Sequence, residues 1–184
     1  MKYVLIAISV LLCAGVAYRI AQSAPRTPAA EPSVSTPAAA DAEPAQAARE
    51  VRPGFREYRN TKYKISLLIP EDLKVTEFNE GNEAMTITFE NATAAQGFQI
   101  FIVPYGLPQI SEVRFKKDEP SGMRKDPRDI TIDGATASSF YSTNLALGET
   151  AEIWFIHGGY LYEVTTLKPL DAWLSQIMTT WKWI

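Results

Sequence analysis

The chain has 184 residues, 46% of them hydrophobic and 21% charged, with a formal net charge of −3. That length holds one ordinary domain with accessories, and the balance is that of a globular chain rather than a disordered one. Without a basic excess there is no phosphate-neutralising surface for nucleic acid; one cysteine, Cys13, and one histidine, His157, leave no internal disulfide, no two-histidine metal motif and no expected metal or cofactor.

Behind Lys2, residues 3–18 (YVLIAISVLLCAGVAY) are an unbroken run of apolar or small side chains. A basic flank followed by such a run is the pattern of an export signal. As a helix its 16 residues reach roughly 24 Å, short of the roughly 30 Å hydrocarbon core. Ile20 and Ala21 can extend the span, and Arg19 can snorkel. Cleavage cues are weak: Ala21 and Ser23 fit the small-residue positions, but Pro25 opposes cutting after Ala24. Leu12 stands where a lipobox needs a small residue before Cys13. Residues 1–22 are therefore read as a signal or anchor segment, with 3–21 crossing the bilayer as one hydrophobic helix. The short N-terminal flank places the domain on the extracytoplasmic side. Cleavage would instead give a secreted or periplasmic product.

Residues 23–54 carry prolines at 25, 28, 32, 37, 44 and 53 and few large apolar residues. Helix and strand periods do not survive that spacing. The segment buries too little to offset chain entropy and is expected to be a disordered Ala/Pro-rich linker. As a coil it reaches roughly 30 Å, a tether that lifts a domain from a membrane.

From residue 55 to 184 the pattern is that of a folded α+β domain. Tyr63, Ile65, Leu67 and Ile69 alternate with more polar positions up to Pro70, predicting a strand, with 73–79 as its partner across the Pro70-Glu71-Asp72 turn. Met85, Ile87 and Phe89 predict another strand after a turn at 79–82. Residues 98–103 (FQIFIV) are apolar at both parities except Gln99, which predicts a central strand covered on both faces. Ser111 is placed to cap a short helix running to Lys117. Residues 130–143 predict two strands around Asp133-Gly134, and AEIWFI and YLYEVTT predict a hairpin around His157-Gly158-Gly159. Leu170, Trp173, Leu174, Ile177, Met178 and Trp181 form one helical stripe, with Pro169 and Asp171 suited to its first turn. Trp173, in mid-stripe, is expected to be buried against a sheet.

The run Tyr58-Arg59-Asn60-Thr61-Lys62-Tyr63-Lys64-Ile65-Ser66-Leu67-Leu68-Ile69-Pro70-Glu71-Asp72-Leu73-Lys74-Val75 resembles the opening of PsbP-like domains. Their pattern there is approximately Y-x-N-x-x-Y-x-[FI]-S-[LIF]-x-[YI]-P-x-x-[WL]-x-V. The closing aromatic hairpin and the L-D-x-W-L-x-x-I-M-x-T-W-K-W segment resemble that fold's last helix and short final strand. The resemblance spans about residues 58–184. It implies an antiparallel sheet covered by helices, an α/β/α sandwich shared by PsbP and the Ran-binding Mog proteins. Those relatives are binding or assembly factors, and no catalytic residue comes with the match.

Each candidate for chemistry has an ordinary reading beside it. His157, at a hairpin tip before two glycines, suits a general base or metal ligand only with an orienting partner or further ligands. Otherwise it is an exposed turn residue. Glu149, Glu152 and Glu163 lie on the hairpin strands. A paired-carboxylate hydrolase needs them in a cleft with separated pKa values, whereas the plain reading is a solvated sheet face. Residues 112–129 carry six basic and five acidic side chains, read as a partner-binding loop or a solvated connection. Arg114, Trp154, His157, Tyr160 and Tyr162 are the candidate partner-binding residues, since aromatic and arginine side chains anchor interfaces most often. The expected function is a membrane-tethered, non-enzymatic binding or assembly module of the cell envelope with a protein partner. The alternative is a small envelope hydrolase using His157 with a carboxylate. Mass spectrometry of the mature N-terminus after membrane fractionation tests the anchor: intact residues 3–21 in the membrane fraction are expected, and a soluble product starting near Ala24 contradicts it.

Overall fold

The computed structural model describes residues 50–184, apart from Pro120. The expected anchor helix and all but the end of the expected linker lie outside these residues. Among the described residues no helix is long and apolar enough to cross a membrane.

Ten strands and two short helices follow one another: β1 (Phe55–Asn60), β2 (Ile65–Pro70), β3 (Lys74–Gly81), β4 (Ala84–Asn91), β5 (Gln96–Pro104), α1 (Glu112–Asp118), β6 (Lys125–Ile132), β7 (Ala135–Asn144), β8 (Gly148–His157), β9 (Tyr160–Leu167), α2 (Asp171–Met178) and β10 (Lys182–Trp183). A 3-10 turn at Lys168–Leu170 leads into α2. Two antiparallel sheets result, one of three strands in the order β1-β2-β10 and one of seven in the order β3-β4-β5-β9-β8-β7-β6. The hairpin turns follow from their residues. Asn82-Glu83, Asp133-Gly134 and Gly158-Gly159 all hold positive φ at both turn positions, the geometry that matches strand twist in two-residue hairpins.

The expected pairing of 73–79 with the strand before it is not what forms. β3 pairs with β4, and β2 pairs with β1 and β10. The Pro70-Glu71-Asp72 turn carries the chain from one sheet to the other instead of reversing it within one. Leu73 enters the core there, and its carbonyl accepts from Arg56 Nη2 at 2.7 Å.

Period two on the large sheet assigns its two faces. Ile87, Phe89, Ile100, Ile102, Ile153, Phe155, Tyr162 and Val164 line the inner face, and Ile65, Leu67 and Ile69 of β2 with Leu174, Ile177 and Met178 of α2 pack against them. The second face is covered by α1 and its flanking loops, through Phe115 on Phe140 and Trp154 with Ile110 packed beside them. The helical layers expected on both sides are thus reduced to helices of seven and eight residues, and the small sheet does most of the inner covering. β5 is central as expected, but only Phe98, Ile100 and Ile102 are fully buried; Gln99, Phe101 and Val103 on the second face are half-buried.

α2 ends at Met178, three residues before Trp181, so the predicted stripe runs past the helix. Trp173 is half-buried, with its ring edge-on to Phe98 at 5.9 Å. The fully buried tryptophan is Trp181, which the turn after α2 drives edge-on against the stacked rings of Phe155 and Tyr162. Trp181→Ala is expected to cost about 3–5 kcal/mol in denaturant unfolding, as large aromatic deletions in cores do, and Trp173→Ala distinctly less. The reverse order would place the main core at the wrong end of α2.

Candidate functional site

Strands β8 and β9 are apolar on the inner face and polar on the other. In the register Trp154 lies opposite Glu163 and Glu152 opposite Thr165, so the two glutamates are diagonal neighbours on the second face. They are not solvated: Glu152 is 3% and Glu163 5% exposed. The expectation of a solvated sheet face is corrected here for Glu152 and Glu163, because α1 and its flanking loops lie over these strands, whereas Glu149 is exposed as expected and pairs with Lys125 and Lys168.

The sequence builds that cover in steps. Tyr105 is tied to the hairpin turn, its N–H donating to Gly159 O at 2.7 Å. Its hydroxyl accepts from Ser111 N–H at 2.8 Å and donates to Gln109 O at 3.0 Å, shaping the approach to the helix. Ser111 then caps α1 as expected, accepting from Arg114 N–H at 3.1 Å. Phe115 is driven onto Phe140 and Trp154, and the Arg124 guanidinium caps its outer ring face at 3.7 Å. Beyond α1, the Ser121 and Ser142 hydroxyls bond at 3.1 Å.

Between cover and sheet lies a charged layer. Arg114 pairs with Asp118 one helical turn on, and its Nη2 stands 3.7 Å from Glu163 Oε1. Burial, then the neighbouring Asp118 carboxylate, pushes the Glu163 carboxyl far above the usual range. Glu152 Oε2 accepts from Thr165 Oγ1 at 2.7 Å and Trp154 Nε1 at 3.1 Å. Desolvation outweighs these donors and pushes its carboxyl up to about 7. Glu119, also buried, adds repulsion to Glu152. Among the described residues, no group of three or more His, Cys, Asp or Glu side chains is placed to hold a metal ion.

No family model matches the chain, and no curated protein matches it. Among solved structures it is similar to the solution structure of cyanobacterial PsbP (CyanoP) from Synechocystis sp. PCC 6803, with a TM-score of 0.53 and 10% identity, the match covering 77% of this chain and 100% of that one. The fold is PsbP-like. At that identity the likeness is one of fold.

Within the PsbP-like domain the sequence-derived candidates separate. His157 is exposed at the hairpin tip and stacks on Trp183 at 3.7 Å between ring centroids. It belongs to the opposite parity of β8 from Glu152 and lies five residues along, about 16 Å away on a strand. The structure therefore does not bring the histidine and the buried carboxylates together. Tyr160 is half-buried, edge-on to Tyr63 at 5.3 Å. Trp154 and Tyr162 are 2% and 1% exposed and present no surface to a partner in this state, and Arg114 is half-buried in its pair with Asp118. Sequence reasoning missed Asp118 and Glu119 as parts of one layer with Glu152 and Glu163. The available signal was the shared parity of Glu152, Trp154, Glu163 and Thr165, a polar stripe interrupted by a tryptophan.

Arg114→Ala leaves Asp118 under the cover without its cation. It is expected to cost about 3 kcal/mol at pH 7 in chemical denaturation, as breaking a buried pair does. The loss should shrink at pH 5, below the raised value of Glu152 near 7, because that carboxyl then adds no negative charge to the layer. Equal losses at the two pH values would mean that the arginine acts through packing rather than charge.

Proposed function

We propose that the chain is a membrane-tethered, extracytoplasmic binding or assembly module without catalytic activity, and that its partner is another protein of the cell envelope. One observation carries this reading: the side chains with chemical potential are engaged in internal contacts. His157 is stacked on Trp183, and Glu152 and Glu163 lie under α1 with neither an imidazole nor open access beside them. A hydrolase that used His157 with a carboxylate needs both within hydrogen-bond reach of one substrate. The fold supports the same reading by analogy with PsbP-like relatives, and the Ala/Pro-rich stretch before residue 55 suits a tether.

The contact surface that best fits is the outer side of the β5–β6 connection. Val113 on α1 is 82% exposed and Leu107 53%, with Met123 also exposed. Solvent-facing apolar side chains on a connection that packs through its other side suit an interface better than a core. A photo-crosslinker at position 113 in intact cells is expected to give a discrete protein adduct, and one at Gln176, exposed on α2, is not. Val113→Asp should abolish function while His157→Ala leaves it intact. Loss of function in His157→Ala and Glu152→Gln, with Val113→Asp silent, would instead support the hydrolase.

A further inference from the structure

The layer beneath α1 holds more acid than it can hold ionised. Four carboxyl groups, from Asp118 and Glu119 on the α1 side and Glu152 and Glu163 on the sheet, face one guanidinium, that of Arg114. Arg124 lies outside, over the Phe115 ring. The other groups around the layer, Thr150, Thr165, the Trp154 indole, Ser121 and Ser142, are neutral. Glu163 Oε1 is fully enclosed and has no hydrogen-bond donor, since Arg114 Nη2 is too distant at 3.7 Å. An ionised Glu163 would have to share the Arg114 guanidinium with Asp118 and would lack a hydrogen-bond donor, whereas a protonated Glu163 can donate to Asp118, which Arg114 neutralises.

We propose that α1 and its flanking loops are a proton-held cover: it is shut over the β7–β8–β9 face while Glu152 and Glu163 carry protons, and it lifts when they ionise. The geometry suits a movable part. α1 has seven residues, is anchored by the single aromatic Phe115, and bears its other apolar residue, Val113, outward. Lifting it leaves the main core between the two sheets untouched, because Phe115, Phe140 and Trp154 form a cluster separate from that core. It uncovers Phe140 and Trp154, an aromatic face that is hidden when shut.

The direction with pH follows from the raised carboxyls. A group whose pKa is higher in the shut state stabilises that state fully below its ordinary value near 4.5, and the stabilisation is lost as pH rises through the shut-state value, about 7 for Glu152. The cover is therefore tight in acid and loosens through neutrality. Opening needs no partner, so its test is separate from the crosslinking above.

Hydrogen exchange with mass spectrometry on the full chain, corrected for intrinsic rates, reads this between pH 5 and pH 8. Protection of amides in 113–119 is expected to fall about tenfold or more relative to β4 and β5, since one pKa unit corresponds to a tenfold change. Glu152→Gln combined with Glu163→Gln should flatten that dependence and keep α1 protected at pH 8. Protection in 113–119 that follows β4 and β5 at every pH overturns the proposal, as does a double variant that retains the fall. Should the double variant not fold, carbon-13 carboxyl titration of the unaltered protein decides: Glu152 and Glu163 titrating below pH 5 overturn it, and titration at neutral pH or above supports it.

Discussion

The register of the β8–β9 hairpin is the constraint on which most of this molecule depends. With Trp154 opposite Glu163 and Ile153 opposite Val164, one parity delivers a continuous apolar face and the other a mixed polar face. A slip of one residue would exchange them, placing two glutamates against β2 and α2. The Gly158-Gly159 turn, with φ of 57° and 83°, prevents that slip, since two successive left-handed positions suit glycine and close the hairpin with no residue to spare. Both neighbours in the sheet, β5 and β7, pair directly with this hairpin.

The two faces are then closed by different means. The inner face is closed by hydrophobic area: β2 lies over it with α2, and Trp181 fills the end, edge-on to the stacked Phe155 and Tyr162. The C-terminus is fastened by polar contacts at the rim, where Asp133 accepts from Trp183 N–H at 2.9 Å and from Lys182 Nζ at 2.5 Å, and Ile184 N–H donates to Lys64 O at 3.0 Å. The second face is closed by one phenylalanine and a charged layer. Apolar burial is insensitive to pH and grows with area, whereas a layer of carboxyl groups depends on how many protons it holds. The PsbP-like domain thus has a firm side and a conditional side, and the exposed apolar residues of the β5–β6 connection lie on the conditional one.

This division also separates the histidine from the acids. His157 and Glu152 share a strand but not a face, and stacking on Trp183 occupies one face of the imidazole ring. Neighbours in sequence on a strand are far apart chemically when their parity differs, while Glu163 and Asp118, remote in sequence, meet across the cover.

Much of the domain was determined locally. The hairpins of β6–β7 and β8–β9 were legible from alternation and turn residues, α1 from Ser111, and the final helix from its stripe, because these depend on neighbours within a few residues. The resemblance in 58–75 and at the C-terminus led to the right fold class. What the tertiary structure alone decided was which surfaces meet. The Pro70-Glu71-Asp72 turn gave no sign that it changes sheets, since a turn's residues specify its bend and not the partner beyond it. Trp173 and Trp181 shared one helical stripe, and only the end of α2 at Met178 sent the second into the core and left the first at its margin. Glu152 and Glu163 read as solvated because burial belongs to whatever lies above a strand, here a helix more than thirty residues earlier in the chain. Alternation tells which side chains share a face; only packing tells whether that face meets water.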